Sequence, residues 1–294
     1  MQRQSNANTP ISEPGRTIPK AVRKQLCREV GFRCPIRDCG SPYLTFHHFL
    51  PPWREKRHHD PVGMIALCSN HAAKADGGYY PNEYLSKLKE VGPASLPVVG
   101  EFDYLTRDLV AVVGSVAFYQ VDTIVEIDGE PCVYFNRDQD GFLLLNFKMP
   151  SMHGEPRAWM EDNVWTVDPG AAHIECPPRG RYLRVDFENG DGFYISFREA
   201  RTAEAFREML PGREAIAEKV NFPVVVALIY ERSRNGLIEF GSREISFGVG
   251  NAIRGGSITG GNVGISLSGY GGLSRNVARM LASSLDNYNR GRSH

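Results

Sequence analysis

Between Ile18 and Gly31 the apolar residues Val22, Leu26 and Val30 recur every four positions. That spacing predicts a short helix with one buried face, Pro19 suiting its first position and Gly31 its stop. The pattern then turns strand-like. Tyr43 to Leu50 predicts one strand and Met64-Ile-Ala-Leu a second, short and apolar, with a polar loop from Pro52 to Gly63 between them. Ser69 can open a helix that ends near Gly77-Gly78. Pro81 to Val91 predicts another, with Tyr84, Leu85, Leu88 and Val91 turned inward.

Gly92 to Gly100 is rich in Pro and Gly and reads as a linker. Beyond it the character changes to short β-rich runs bounded by turn residues: Val112–Phe118, Cys132–Phe135, Phe142–Phe147, Val164–Val167, Tyr182–Phe187 and Phe193–Phe197. Regular spacing of this kind predicts a sandwich or meander. Thr202 to Lys219 predicts a helical stretch broken at Pro211-Gly212, and Phe222 to Tyr230 a strongly apolar strand. Glycine-punctuated rungs follow up to Leu267, open to two readings, a few solenoid coils or a twisted meander. Asn276 to Tyr288 predicts a closing amphipathic helix. The expected organisation is α+β: a flexible polar arm over 1–17, a compact module over 18–92, a linker over 93–100 and a β-rich region over 101–294, with a candidate subdivision near 220.

The composition is that of a globular protein, 41% hydrophobic and 23% charged. No apolar run reaches the roughly 18 residues of a membrane span, and the polar N-terminus lacks a secretory pattern, so a cytoplasmic location without a membrane partner is expected. Net charge is zero, but unevenly distributed. Residues 1–92 carry fourteen Lys/Arg against eight Asp/Glu, and the remainder carries the opposite excess of six. A basic N-terminal module suits a polyanion such as nucleic acid.

Chemistry concentrates in that module. Five of eight histidines and three of six cysteines fall between Cys34 and His71. Cys34 and Cys39, then Cys68 and His71, form two pairs with the spacing of a tetrahedral zinc site, which would steady a domain with a thin core. Cys27, Cys132 and Cys176 sit on apolar faces and are expected in the core. His47 and His48 are adjacent on a predicted strand and should point to opposite faces, unless a bulge or strand end lets one bind a metal while the other activates water. Two half-exposed strand histidines is the plainer alternative.

The segments Phe32-Arg-Cys-Pro-Ile-Arg-Asp-Cys-Gly, Leu44-Thr-Phe-His-His-Phe-Leu-Pro-Pro and Asp60 through Asp76 resemble, in order and spacing, an HNH endonuclease module, covering roughly Val22 to Leu88. The resemblance implies a β-hairpin and helix around one catalytic divalent metal, Mg²⁺ or Mn²⁺, braced by a structural zinc. It gives His47 the place of a metal ligand and His48 that of the general base. Cys34, Cys39, Cys68 and His71 take the zinc set. Gly63 stands where the Asn is usual, and Ala72 where the final metal-binding His is expected.

Alanine offers no lone pair, and a divalent cation held by one imidazole should bind poorly. His71, His58 or His59 could substitute. Otherwise the chain is inactive, through drift or, more in keeping with an intact remainder, an engineered His→Ala change. The implied reaction is hydrolysis of phosphodiesters, DNA foremost. Arg23, Lys24, Arg28, Arg33, Arg54, Lys56 and Arg57 are candidate phosphate contacts, and Trp53 stacks on a base or caps the core. The rival expectation is a zinc-stabilised module that binds nucleic acid or protein without cutting. Residues 101–294 show no catalytic constellation, His153 and His173 reading as ordinary residues, and are expected to regulate, oligomerise or dock a partner. Nuclease modules with such attachments resemble anti-phage effectors.

Overall fold

The computed structural model of the chain describes residues 14–91, 96–149, 157–233, 238–247 and 250–268. The arm up to residue 13, His153 and the helix expected over 276–288 lie outside them.

The N-terminal module runs α1 (Lys20–Glu29), β1 (Leu44–His48), β2 (Met64–Cys68), α2 (Ser69–Asp76) and α3 (Asn82–Leu88). The four-residue period of α1 buries Leu26 and Val30 as the pattern predicts. β1 and β2 pair antiparallel, Leu44 opposite Cys68 and His48 opposite Met64. Every residue of β2 is buried, which is why it reads as an unbroken apolar run. α2 packs on both strands and α1 on β2, so a ββα arrangement is formed. The long loop between the strands is pinned by Lys89, whose ammonium donates to the carbonyls of Pro61 and Met64, each at 2.5 Å, and pairs with Glu29 at 2.7 Å.

The β-rich region follows with β3 (Val98–Glu101), β4 (Leu109–Val113), β5 (Val116–Tyr119), β6 (Thr123–Ile127), β7 (Glu130–Arg137), β8 (Leu143–Lys148), β9 (Ala158–Glu161), β10 (Val164–Val167), β11 (Ala171–Glu175), β12 (Tyr182–Phe187) and β13 (Gly192–Ala200). Then come α4 (Ala203–Met209), α5 (Glu214–Ala217), β14 (Val224–Arg232), β15 (Ile238–Phe240), β16 (Ile245–Phe247), β17 (Asn251–Ile253), β18 (Ser257–Thr259) and β19 (Val263–Leu267). Seven strands form one sheet in the order β19-β6-β7-β8-β9-β10-β3. Ten form the other, β11 through β17 with β4, β5 and β18 joined through β14. Their facing residues meet in one core, for example Phe147 of β8 with Phe193 of β13 at 5.2 Å between ring centroids. α4 and α5 cover a second cluster around Val110, Val226 and Leu228.

Several expectations change. Val112–Phe118 is not one strand but the middle of a hairpin, β4 and β5, turning at Gly114-Ser115 with Gly114 at φ +57°. The apolar residues on both sides of the turn hid it. Val98–Gly100, within the expected linker, belongs to β3 and pairs with β10. The glycine-punctuated rungs do not stack as coils. β15, β16 and β17 form an antiparallel meander, whereas β18 adds parallel to β5 in one sheet and β19 parallel to β6 in the other. Their apolar residues serve the sandwich core, with Ile238, Phe240, Ile245 and Ile265 buried in it.

The module and the β-rich region share a face. Arg23 pairs with Glu175 at 2.6 Å, Lys24 with Asp186 at 3.4 Å and Arg28 with Glu188 at 3.1 Å. The Tyr43 hydroxyl donates to the Glu101 carbonyl at 2.5 Å, and the Phe32 ring meets His173 edge-on. Three of the basic side chains expected to contact phosphate therefore face carboxylates of the chain itself. Cys27, Cys132 and Cys176 are buried, as expected.

Glu175 makes this face testable by pH. Its carboxyl is held down at about 2, from an ordinary 4.5, by His173 first and then by Arg23 and the Tyr182 hydroxyl, against the opposing effect of burial. A carboxyl whose value drops on folding stabilises the fold above its unfolded value, and that contribution disappears as pH falls toward the folded one. Melting temperature should fall between roughly pH 5 and pH 2, and Glu175→Gln should flatten that acid limb. Superimposable limbs would remove Glu175 from the account.

Candidate functional site

The knuckle ahead of β1 turns tightly. Cys34 N–H donates to Ser41 O at 2.8 Å and Cys39 N–H to Ile36 O at 3.0 Å, with Asp38 and Gly40 in the left-handed region at φ +61° and +60°. This brings both thiols over the junction of β2 and α2, where Cys68 ends the strand and His71 lies in the first helical turn. One ligand atom from each of the four residues falls within 4.8 Å of the others. Cys39 Sγ lies 3.8 Å from Cys68 Sγ, and His71 Nδ1 lies 3.3 and 3.2 Å from the sulfurs of Cys34 and Cys68.

Tetrahedral zinc with sulfur at about 2.3 Å sets neighbouring sulfurs about 3.8 Å apart, so the donor set and its spacing fit that ion. Burial pushes the Cys34 thiol up to about 12, and a bound cation is what would hold it as thiolate. Burial also lowers His71, leaving a neutral imidazole able to ligate.

A second group opens on a cavity of about 770 Å³ beside this cluster, lined by His47, His48, Trp53, Arg54, Ala72 and Asp76 among others. Strand alternation would send the two histidines to opposite faces. Both line the cavity because β1 ends at His48. His47 is 8% exposed and faces α2, where its Nδ1 lies 2.9 Å from Asp76 Oδ1. His48 turns toward the loop, and its Nε2 lies 2.9 Å from the carbonyl of His58. A carbonyl only accepts, so Nε2 carries the proton and Nδ1 the lone pair. Burial lowers both histidines, opposed at His47 by Asp76 and at His48 by the His58 carbonyl, which keeps the rings neutral near pH 7.

The loop histidines are committed. His58 Nε2 bonds to Pro51 O at 2.9 Å and its Nδ1 accepts from Asp60 N–H at 3.1 Å, while His59 Nε2 bonds to Gly15 O at 2.8 Å. Trp53 stacks on His59 and leans on His48, 5.4 and 4.8 Å between centroids. Gly63 tolerates no side chain, because a Cβ there would overlap the Leu50 carbonyl oxygen. His58, through its carbonyl and both ring nitrogens, braces the loop over His48 instead.

Of the expected basic contacts, Arg54 lines the cavity, Lys56 and Arg57 are exposed on the same loop, Arg33 is half-buried, and Arg28 faces Glu188. Arg16, not singled out from the sequence, also lines the cavity. Asp76 was missed too. Its signal lay in the helix period: it follows Ala72 by four residues and shares its face.

Purified protein should carry about one zinc per chain, and Cys68→Ser should lose it together with a large part of the thermal stability. Elemental analysis finding under about half an equivalent would reject the four-ligand site. Among the described residues no helix is long and apolar enough to cross a membrane. Compared with protein-family models, curated proteins and solved structures, the chain matches none.

Proposed function

We propose that the N-terminal module is a divalent-metal-dependent endonuclease of the HNH kind, hydrolysing phosphodiester bonds of nucleic acid, DNA foremost. The setting of His48 carries this reading. Its protonated Nε2 is held by the His58 carbonyl, it lines a cavity large enough for a sugar–phosphate segment, and its neighbour His47 lines the same cavity beside a carboxylate.

His48 Nδ1 takes a proton from water, the water oxygen bonds to phosphorus, and the P–O3′ bond breaks. The departing oxygen then takes a proton from solvent. Mg²⁺ or Mn²⁺ bound at His47 would supply the stabilisation of charge on the phosphoryl oxygens and the leaving oxygen. Arg16 and Arg54 line the same cavity and would hold phosphates flanking the scissile one, positioning the backbone without reading sequence. Cys34, Cys39, Cys68 and His71 would hold a zinc ion that braces α2 against the hairpin and takes no part in bond breaking. The β-rich region, joined by ion pairs to α1, is the regulatory or oligomerising part.

With plasmid and Mn²⁺ or Mg²⁺, His48→Ala should cut at least about a hundredfold more slowly than the parent chain. Arg54→Ala should weaken DNA binding and lower its salt dependence. Unchanged cleavage in His48→Ala would overturn the mechanism. Binding without cutting, in both the parent and Ala72→His, would favour the non-cutting module.

A further inference from the structure

Ala72 removes the ligand that the HNH resemblance requires from α2. The helix supplies another one turn on. Resting on the nuclease reading, we propose that Asp76 is the second protein ligand of the divalent cation, pairing with His47, and that the chain is active with alanine at position 72.

The geometry supports this in three ways. First, His47 Nδ1 and Asp76 Oδ1 are 2.9 Å apart. Two ligands about 2.1 Å from one octahedral ion and at right angles to each other are separated by about 3.0 Å. Second, the two donors differ in setting as a metal pair needs. His47 is fixed in the hairpin and buried, whereas the Asp76 side chain is 75% exposed and lines the open cavity. Ala72, on the same face, leaves the space in front of His47 open.

Third, Asp76 is the last residue of α2. A helix C-terminus carries partial negative charge, so a carboxylate there is unfavourable unless a cation accompanies it. Lys74 is the basic side chain of that turn; a divalent ion at Asp76 would add compensating charge directly at the carboxylate.

The exchange also predicts metal preference. One imidazole, one carboxylate and water form a harder, more anionic set than two imidazoles. Relative to a two-imidazole site, it shifts the balance toward Mn²⁺ and Mg²⁺.

The full chain, loaded with its structural zinc, is titrated with Mn²⁺ while free Mn²⁺ is read by electron paramagnetic resonance. Melting temperature is followed in parallel. Asp76→Asn should bind Mn²⁺ at least about tenfold more weakly. Without added Mn²⁺ its melting temperature should equal or exceed that of the parent, and it should lose the rise that Mn²⁺ gives the parent. Ala72→His combined with Asp76→Asn should regain binding. His48→Ala should bind Mn²⁺ like the parent.

Equal Mn²⁺ affinity in the parent and Asp76→Asn overturns the proposal, as does a drop in the metal-free melting temperature of Asp76→Asn without any change in Mn²⁺ binding, the mark of a purely structural hydrogen bond. The two readings fail separately. Cleavage that depends on His48 but not on Asp76 rejects this ligand and keeps the nuclease. Mn²⁺ binding through Asp76 with no cleavage of any nucleic acid keeps the ligand and rejects the nuclease.

Discussion

The antiparallel register of β1 on β2 is the constraint from which the N-terminal chemistry follows. Leu44 opposite Cys68 places the knuckle over the strand–helix junction, and His48 opposite Met64 ends the strand where the loop can fold back over it. A slip of one residue would turn His47 away from α2 and carry Cys68 away from Cys34 and Cys39. The complete burial of β2 makes such a slip costly, since polar neighbours would enter a dry core. A zinc-type cluster at one end of the hairpin and a histidine pair at the other are thus two consequences of one pairing.

The opposite charges of the two regions have a structural use before any external partner is considered. Arg23, Lys24 and Arg28 lie along α1 and meet Glu175, Asp186 and Glu188. Arg16 and Arg54 stay on the cavity. The basic excess is therefore divided, one part toward the acidic β-rich region and one toward the open site. The Arg28 pair is exposed and contributes little by itself; the Arg23 pair, half-sheltered and backed by the Tyr182 hydroxyl, is the stronger contact.

Much of the module could be read from the sequence because its signals are local. The period of Val22, Leu26 and Val30, the apolar run of β2 and the two ligand pairs each lie within a few residues. What escaped was set by distance. Asp76 means nothing until α2 is laid against β1, when the turn after Ala72 comes to His47. The bracing by His58 depends on a loop closure that no short pattern encodes. In the β-rich region Val164–Val167 and Tyr182–Phe187 were delimited by their turns and match β10 and β12. Val112–Phe118 was not, because its turn is flanked by buried residues on both sides. The rungs after β14 show short strands with glycine between them, but the partners of the last two, β18 and β19, lie about 140 residues away and leave no trace nearby.

Those last rungs bind the two sheets together. Only residues 260–262 separate β18, an edge of one sheet, from β19, an edge of the other. The two layers are thereby stitched by a segment too short to let them slide or part. Both pairings are parallel and join residues far apart in sequence, the kind of contact that forms slowly because a long loop must close first. During synthesis the edges of β5 and β6 stand unpaired until residues 257–267 have left the ribosome. The interval is one of exposed strand edges, in which a chaperone or a neighbouring chain competes for the same hydrogen bonds.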